Sequence, residues 1–263
     1  MSILHEILKF RQEELQNTKS DMPLADLKAR IKDMDAVRCF KTAIKREEGQ
    51  PVKLIAELKK ASPSKGLIRK DFSLPHIISI YEKKDVSAIS VLTEKRYFDG
   101  SLSYLNQARK RTAKPLLRKD FIFDSYQIYE SRANNADAVL LIVSALDRSL
   151  LSDLYHLARE LTLECLVEVH NWKELDIALY MGAEIIGINN RDLNTLNISL
   201  DISLSLLKDV PDDRIVVSES GINTRADVEV LQETKTDAIL VGTTIMKAED
   251  IGAKIDELLG IQH

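Results

Sequence analysis

Apolar residues recur along this chain in two rhythms, and the change from one to the other near residue 50 divides it. Up to about residue 45 the chain is polar with apolar positions at helical spacing. Leu4, Ile7, Leu8 and Leu15 form one such stretch, and Leu24, Leu27 and Ile31 form a second that Pro23 opens. Glu48, Gly49, Gln50 and Pro51 then break the pattern and read as a linker. From Val52 onward short β-rich runs alternate with longer amphipathic stretches. The runs are 52–58, 88–93, 115–119, 138–143, 165–169, 185–189, 215–219 and 238–242, with helices such as Ser125 to Arg132 and Ser149 to Leu161 between them.

Short β-rich runs separated by helix-length segments imply parallel strands joined by crossover helices. An open doubly wound sheet usually stops at five or six strands, so this longer alternation favours closure into a barrel. No Gly-rich dinucleotide fingerprint follows the first run, and no low-complexity segment interrupts the chain. A length of 263 residues suits one barrel, although by itself it equally permits two smaller domains. The simplest account is an α/β chain forming a single (β/α)8 TIM barrel domain over 1–263, with residues 1–48 as a helical N-terminal extension. The amphipathic stretch Leu4 to Leu15 is expected to pack over the barrel mouth, the alternative being a face for a partner.

Function in such a barrel collects at the C-terminal ends of the strands. There the first run ends in Glu57 and Lys59, which share a face because side chains two apart in a strand point the same way. The third run ends in Lys119, the fifth in Glu168, the sixth in Asn189 and Arg191, and the seventh in Glu219 and Ser220. Any one of these is equally well a strand end meeting solvent. Together they describe lysines, an arginine and glutamates that pair among themselves, since an isolated buried charge is too costly to keep ionised. Ser220-Gly221-Ile222 after the seventh run and Gly242-Thr243-Thr244 after the eighth occupy the places where such barrels bind phosphate through backbone N–H groups.

Composition narrows the partners. With 44% hydrophobic and 30% charged residues, the chain has material for a large core and a solvated surface. A net charge of -4, from 41 acidic and 37 basic residues spread along the chain, is no footprint for nucleic acid or anionic lipid. Cys39 and Cys165 lie far apart without CxxC spacing, which argues against a disulfide framework and fits a reducing cytosol. Met1 to Gln16 carries Glu6, Glu13 and Glu14 and does not read as a signal or transit peptide, and no apolar run approaches membrane-spanning length. The expectation is a cytoplasmic protein. His5, His76, His156, His170 and His263 are scattered, so no metal is expected, and His170 reads as a loop residue beside Glu168. Trp172 and the pair Tyr97-Phe98 are candidates for lining an apolar pocket, with helix or loop packing an equal alternative for Trp172.

The stretch Leu54-Ile55-Ala56-Glu57-Leu58-Lys59-Lys60-Ala61-Ser62-Pro63-Ser64-Lys65-Gly66 resembles the signature of the indole-3-glycerol-phosphate synthase family. Leu117-Arg118-Lys119-Asp120-Phe121, Glu168-Val169-His170, Ile188-Asn189-Asn190-Arg191-Asp192-Leu193 and Ser218-Glu219-Ser220-Gly221-Ile222 are similar to its other motifs, in the same order. The resemblance implies a carboxy-lyase of tryptophan biosynthesis. It would close 1-(2-carboxyphenylamino)-1-deoxyribulose 5-phosphate to an indole with loss of carbon dioxide and water. On that resemblance Lys119 is the general acid on the ketone and Glu168 serves the later dehydration, while Glu57, Lys59 and Asn189 orient and stabilise. Ser62, Arg191, Glu219, Ser220, Gly221, Gly242 and Thr243 would bind substrate, the last two and Gly221 mainly at phosphate. How acid and base duties divide among Glu57, Lys59, Lys119 and Glu168 stays open. Thr243-Thr244 stands where the family often has serine after the strand-eight glycine. The intermediate carries its own electron sink, an iminium carbon beside the carbon bearing the carboxylate, so no cofactor is expected. No obligatory protein partner is expected either. A phosphoribosylanthranilate isomerase is the nearest rival, but the Cys and Asp pair of that family has no cysteine here at the end of the first run. A silent docking barrel would be marked by loss of Lys119, Glu168 or the phosphate glycines, all of which are present.

Overall fold

The computed structural model describes residues 3–192, 195 and 197–261, so Leu193 and His263 of the sequence reading lie outside the described residues. Eight parallel strands close into a barrel: β1 (Lys53–Leu58), β2 (Ala88–Leu92), β3 (Leu116–Lys119), β4 (Ala138–Ile142), β5 (Glu164–Val169), β6 (Ile185–Asn189), β7 (Ile215–Glu219) and β8 (Ala238–Val241). Closure is made by β1, which pairs Ile55 with Ala88 of β2 on one side and Lys53 with Ala238 of β8 on the other. The strand limits differ from the hydrophobic pattern by one residue at most, because both faces of each strand must be apolar. Leu54, Val139, Val167 and Ile239 face the surrounding helices, and Ile55, Leu117, Leu166 and Val217 fill the barrel.

The first residues form three helices, α1 (Ile3–Asp21), α2 (Leu24–Lys32) and α3 (Phe40–Ile44). They run from the rim of the barrel to its floor. At the rim, Arg11 of α1 lies 3.0 Å from Asp120 just beyond β3, Lys19 lies 2.7 Å from Asp124, and the Phe10 ring meets Tyr97 edge-on. Lower down, Leu15 and Leu27 pack on Tyr126 and Ala133 of the helix Ser125–Ala133. At the floor, Phe40 and Ile44 share the inner core with Ala88, Ala138 and Ala238, the first inward residues of three strands. Those alanines leave a space that the two large side chains fill. The backbone N–H groups of Arg38 and Arg46 donate to Asp137 and Asp237, the residues immediately before β4 and β8.

Two expectations change. No described residue of 1–48 lines the cavity at the mouth: α1 stands beside the rim, held there by Arg11 on Asp120 and by Leu15 in the cluster with Tyr126 and Ala133. And α3 had no separate reading, since five residues are too short to carry a period.

Asp120 is fully buried between Arg11 and Arg118, at 3.0 and 2.9 Å. Burial alone would raise its pKa, but the two guanidinium groups outweigh it and hold the carboxyl below its ordinary value. Its stabilising contribution is therefore present above about pH 4 and fades as pH falls through the depressed value. Arg11→Ala is expected to destabilise the protein by roughly 2–4 kcal/mol at pH 7, with the deficit shrinking below pH 4. Urea-unfolding midpoints at both pH values check this, and an equal deficit at both would assign the effect to packing.

Candidate active site

Inward-facing side chains in a barrel stack in layers of four taken from alternate strands. Two residues beyond the layer Ile55, Leu117, Leu166 and Val217, the same four strands present Glu57, Lys119, Glu168 and Glu219. The uppermost layer is thus entirely ionisable, and it lies at the C-terminal end. Lys119 Nζ is 2.8 Å from Glu168 Oε2 and 2.5 Å from Glu219 Oε2, and Lys59 Nζ is 3.1 Å from Glu57 Oε1. The glutamates fit because the interleaved strands offer glycine: a Cβ on Gly187 would sit 2.5 Å from Glu219 Oε1, and one on Gly242 would collide with Glu57.

Burial pulls the Lys119 pKa down, but Glu168, Glu219 and Glu57 more than reverse this, so the ammonium stays protonated across the physiological range. The two carboxylates it holds are not equivalent. For Glu168 burial is outweighed by Lys119 and by His170, whose Nε2 lies 3.3 Å from Oε1, and its pKa is well below the ordinary value. His170 in turn has Nδ1 2.9 Å from Glu174; burial disfavours its charge, yet the two glutamates raise its pKa to about 10. Among the described residues Glu219 has no such second cation. Its Oε1 is buried without a hydrogen-bond partner, and burial, with Glu168 nearby, pushes its pKa up to about 7 against the pull of Lys119.

These groups line a cavity of about 620 Å³ with two unlike ends. Toward β2, β3 and β4 the wall is Leu92, Phe98, Phe121, Leu140 and Ile142. Toward β7 and β8 Ser220, Gly221, Asn223, Gly242, Thr243 and Thr244 line the cavity together with Ile222, Leu240 and Val241. Ser220 and Gly221 are consecutive residues with positive φ, 67 and 84, in the tight turn that follows β7. Thr244 Oγ1 contacts Ile222 O at 2.8 Å and so ties the loop after β7 to the turn after β8, a use for the threonine where the family often has serine.

Of the residues singled out from the sequence, Glu57, Lys59, Lys119, Glu168, Asn189, Arg191, Glu219, Ser220, Gly221, Gly242 and Thr243 all line this cavity, and Ser62 does not. Ser62 is buried in a short antiparallel ladder with Gly66, within the loop after β1. Phe98 lines the cavity, whereas Tyr97 does not. Trp172 is half exposed on the outside, its indole N–H donating to Asp209 at 2.6 Å. Lys65 and Lys247 were not anticipated. Both reach the cavity and neither has an ion-pair partner among the described residues. Lys247 lies one turn beyond Thr243 on the helix Thr243–Lys247, a spacing that could have flagged it. Among the described residues no His, Cys, Asp and Glu group is arranged to hold a metal ion, and no helix is long and apolar enough to cross a membrane.

The sequence model of the indole-3-glycerol phosphate synthase family matches residues 4–258. The chain is 47% identical over 256 residues to the indole-3-glycerol phosphate synthase of Alkaliphilus metalliredigens, covering 97% of each chain. It is 48% identical over 260 residues to that of Dehalococcoides mccartyi, covering 98% of this chain and 100% of the other. Among solved structures it is similar to 3-hexulose-6-phosphate synthase from Salmonella typhimurium, with TM-score 0.65, 16% identity, and 80% and 98% of the two chains covered. It is also similar to a tryptophan synthase alpha-subunit variant from Pyrococcus furiosus, with TM-score 0.62, 15% identity, and 79% and 98% covered. At those identities the two structures bear on the barrel alone.

The raised pKa of His170 sets a pH window. Its contribution to stability is fully present below about pH 6.5 and is lost as pH rises through about 10. His170→Asn is expected to lower stability by roughly 1–3 kcal/mol at pH 6, with the gap closing above pH 10. Chemical denaturation at pH 6 and 10.5 measures it; a gap that persists at high pH would remove the ion-pair explanation.

Proposed function

The chain belongs to the indole-3-glycerol phosphate synthase family, and from that membership we infer how its cavity divides the work of the family's reaction. The enzyme is a carboxy-lyase: it closes 1-(2-carboxyphenylamino)-1-deoxyribulose 5-phosphate to indole-3-glycerol phosphate, releasing carbon dioxide and water. The observation that carries the assignment of roles is the Lys119 ammonium held between Glu168 and Glu219 inside a cavity with one apolar and one glycine-rich end.

The substrate's aromatic ring packs against Leu92, Phe98, Phe121, Leu140 and Ile142, and its phosphate lies against Ser220, Gly221, Gly242 and Thr243. Lys65 and Lys247 supply positive charge beyond that cancelled by Glu57, Glu168 and Glu219, which suits a substrate carrying both a carboxylate and a phosphate. Between the two ends the ketone comes to Lys119. As the ring carbon attacks the ketone carbon, Lys119 delivers a proton to the ketone oxygen. The new bond leaves an iminium beside the carbon bearing the carboxylate, and the electron pair of the breaking C–C bond flows into it as carbon dioxide departs. In the dehydration that follows, the hydroxyl leaves with a proton and the ring gives one up. Glu168, 2.8 Å from Lys119, exchanges protons with it in that step. Glu57 and Lys59, paired at 3.1 Å, and Asn189 orient the intermediate, and Arg191 and Glu219 bind it.

The reading extends to the molecule as a whole. It is one domain, because the extension fills the barrel floor through Phe40 and Ile44, and Ser62 acts through the conformation of the loop after β1. A nearly balanced charge fits a cytoplasmic enzyme that works without nucleic acid, membrane or an obligatory protein partner.

Chelator-treated protein given the carboxyphenylamino-deoxyribulose phosphate is expected to develop indole fluorescence without added cofactor. A folded sample that binds the substrate but stays dark would favour a docking subunit. Lys119→Ala is expected to lose roughly two to four orders of magnitude in kcat, the range for an acid catalyst. Near-normal turnover in that variant would remove the role given to Lys119.

A further inference from the structure

One fully buried carboxylate takes no part in the chemistry above. Glu94 opens the loop after β2, and no cation pairs with it among the described residues. Its partners are backbone. Oε1 accepts the N–H of Arg96 at 2.9 Å, and Oε2 accepts those of Tyr97 and Phe98 at 2.8 and 3.1 Å. A buried carboxylate is tolerated where donors of this kind replace its water, and the bonds are stronger than those between neutral groups. The loop then turns back on its own origin. The N–H of Gly100 donates to Glu94 O at 2.8 Å, and a Cβ on Gly100 would collide with the backbone oxygens of Leu92 and Glu94.

The last residue bound by the carboxylate is Phe98, the member of this loop that reaches the cavity. Its ring lies 6.2 Å from that of Phe121, centroid to centroid, and 5.7 Å from Lys59 Nζ, and its carbonyl accepts the N–H of Ala61 at 3.2 Å. An aromatic wall on a surface loop is only as well placed as the backbone beneath it. Here one side chain holds three consecutive N–H groups of that backbone.

We propose that Glu94 is the positioning residue for the apolar end of the cavity: its carboxylate fixes the backbone from Arg96 to Phe98 and thereby the Phe98 ring on which the substrate's aromatic ring packs. This rests on the placement of the aromatic ring given under Proposed function. Glu94 touches no reacting atom. Its effect is on substrate affinity, transmitted through Phe98, while the phosphate end stays as it is.

The test measures kcat and KM for the carboxyphenylamino-deoxyribulose phosphate, and the Ki of inorganic phosphate, in the wild type, Glu94→Gln, Phe98→Ala and the double variant. Glutamine is isosteric, but its amide nitrogen faces backbone N–H groups. Glu94→Gln is expected to raise KM about tenfold, with the smaller share of the loss in kcat, as removal of binding contacts does. The phosphate Ki should not move, and in the Phe98→Ala background the second substitution should add nothing to KM. Effects that multiply in the double variant, or a phosphate Ki that rises with KM, would overturn the proposal. An unchanged KM in Glu94→Gln beside a raised one in Phe98→Ala would do the same. An unchanged KM in Phe98→Ala would instead sink the aromatic placement, and the proposal with it. If Glu94→Gln does not fold, Glu94→Asp, which keeps the charge but draws it back, carries the same comparison: a raised KM that Phe98→Ala abolishes supports the proposal, and a wild-type KM overturns it.

Discussion

A charge inside a protein must be met by an opposite charge or by hydrogen-bond donors, and this barrel is organised around that constraint. Strand β3 shows it twice. Arg118 points outward into the layer of helices, where Asp120 and Glu130 lie 2.9 and 2.7 Å from it, and Lys119 points inward to Glu168 and Glu219. Each cation takes two carboxylates, so neither is left exposed to the desolvation that makes a lone buried charge untenable. Other features follow from it. Gly187 and Gly242 are the space the inner glutamates occupy, and His170 with Glu174 carries the pairing outward from Glu168.

The inner cluster is asymmetric, and the asymmetry suits proton chemistry. Two carboxylates at similar distance from one ammonium would ordinarily be interchangeable. Among the described residues the second cation belongs to Glu168 alone and holds its pKa low, whereas Glu219 keeps an oxygen without a hydrogen-bond partner and its pKa is raised by burial to about 7. The cavity repeats this gradation on a larger scale, from an apolar wall at one side through the charged layer to glycine-lined backbone at the other. The placement proposed for the substrate's aromatic ring, ketone and phosphate follows that gradation.

The features legible in the sequence were those with a period or a strand end to mark them. The eight strands showed because a parallel barrel strand is apolar on both faces, and the candidate site residues showed because Glu57, Lys119, Glu168 and Glu219 interrupt that pattern at the last inward-facing position. What stayed hidden depends on three-dimensional fit. Phe40 and Ile44 plug the floor because three strands begin with alanine, a coincidence that no local window registers. The rim placement of α1 depends on Asp120 and Tyr97, about a hundred residues away in the chain. Ser62 lies in a motif that resembles a binding signature, yet the turn that follows it directs it into its own loop. Glu94 read as one more acidic residue in a loop, because backbone donors leave no trace in composition.

The strap that carries Phe40 and Ile44 to the barrel floor also bears on the order of events at the ribosome. Those residues are synthesised early, but the surface that receives them includes Ala238, and Arg46 is anchored by Asp237. Strand β1 likewise waits for β8. Phe40 and Ile44 therefore have no finished docking site until the barrel's last strand is in place. These two side chains stay uncovered until then, so closing the barrel and seating its plug are coupled events.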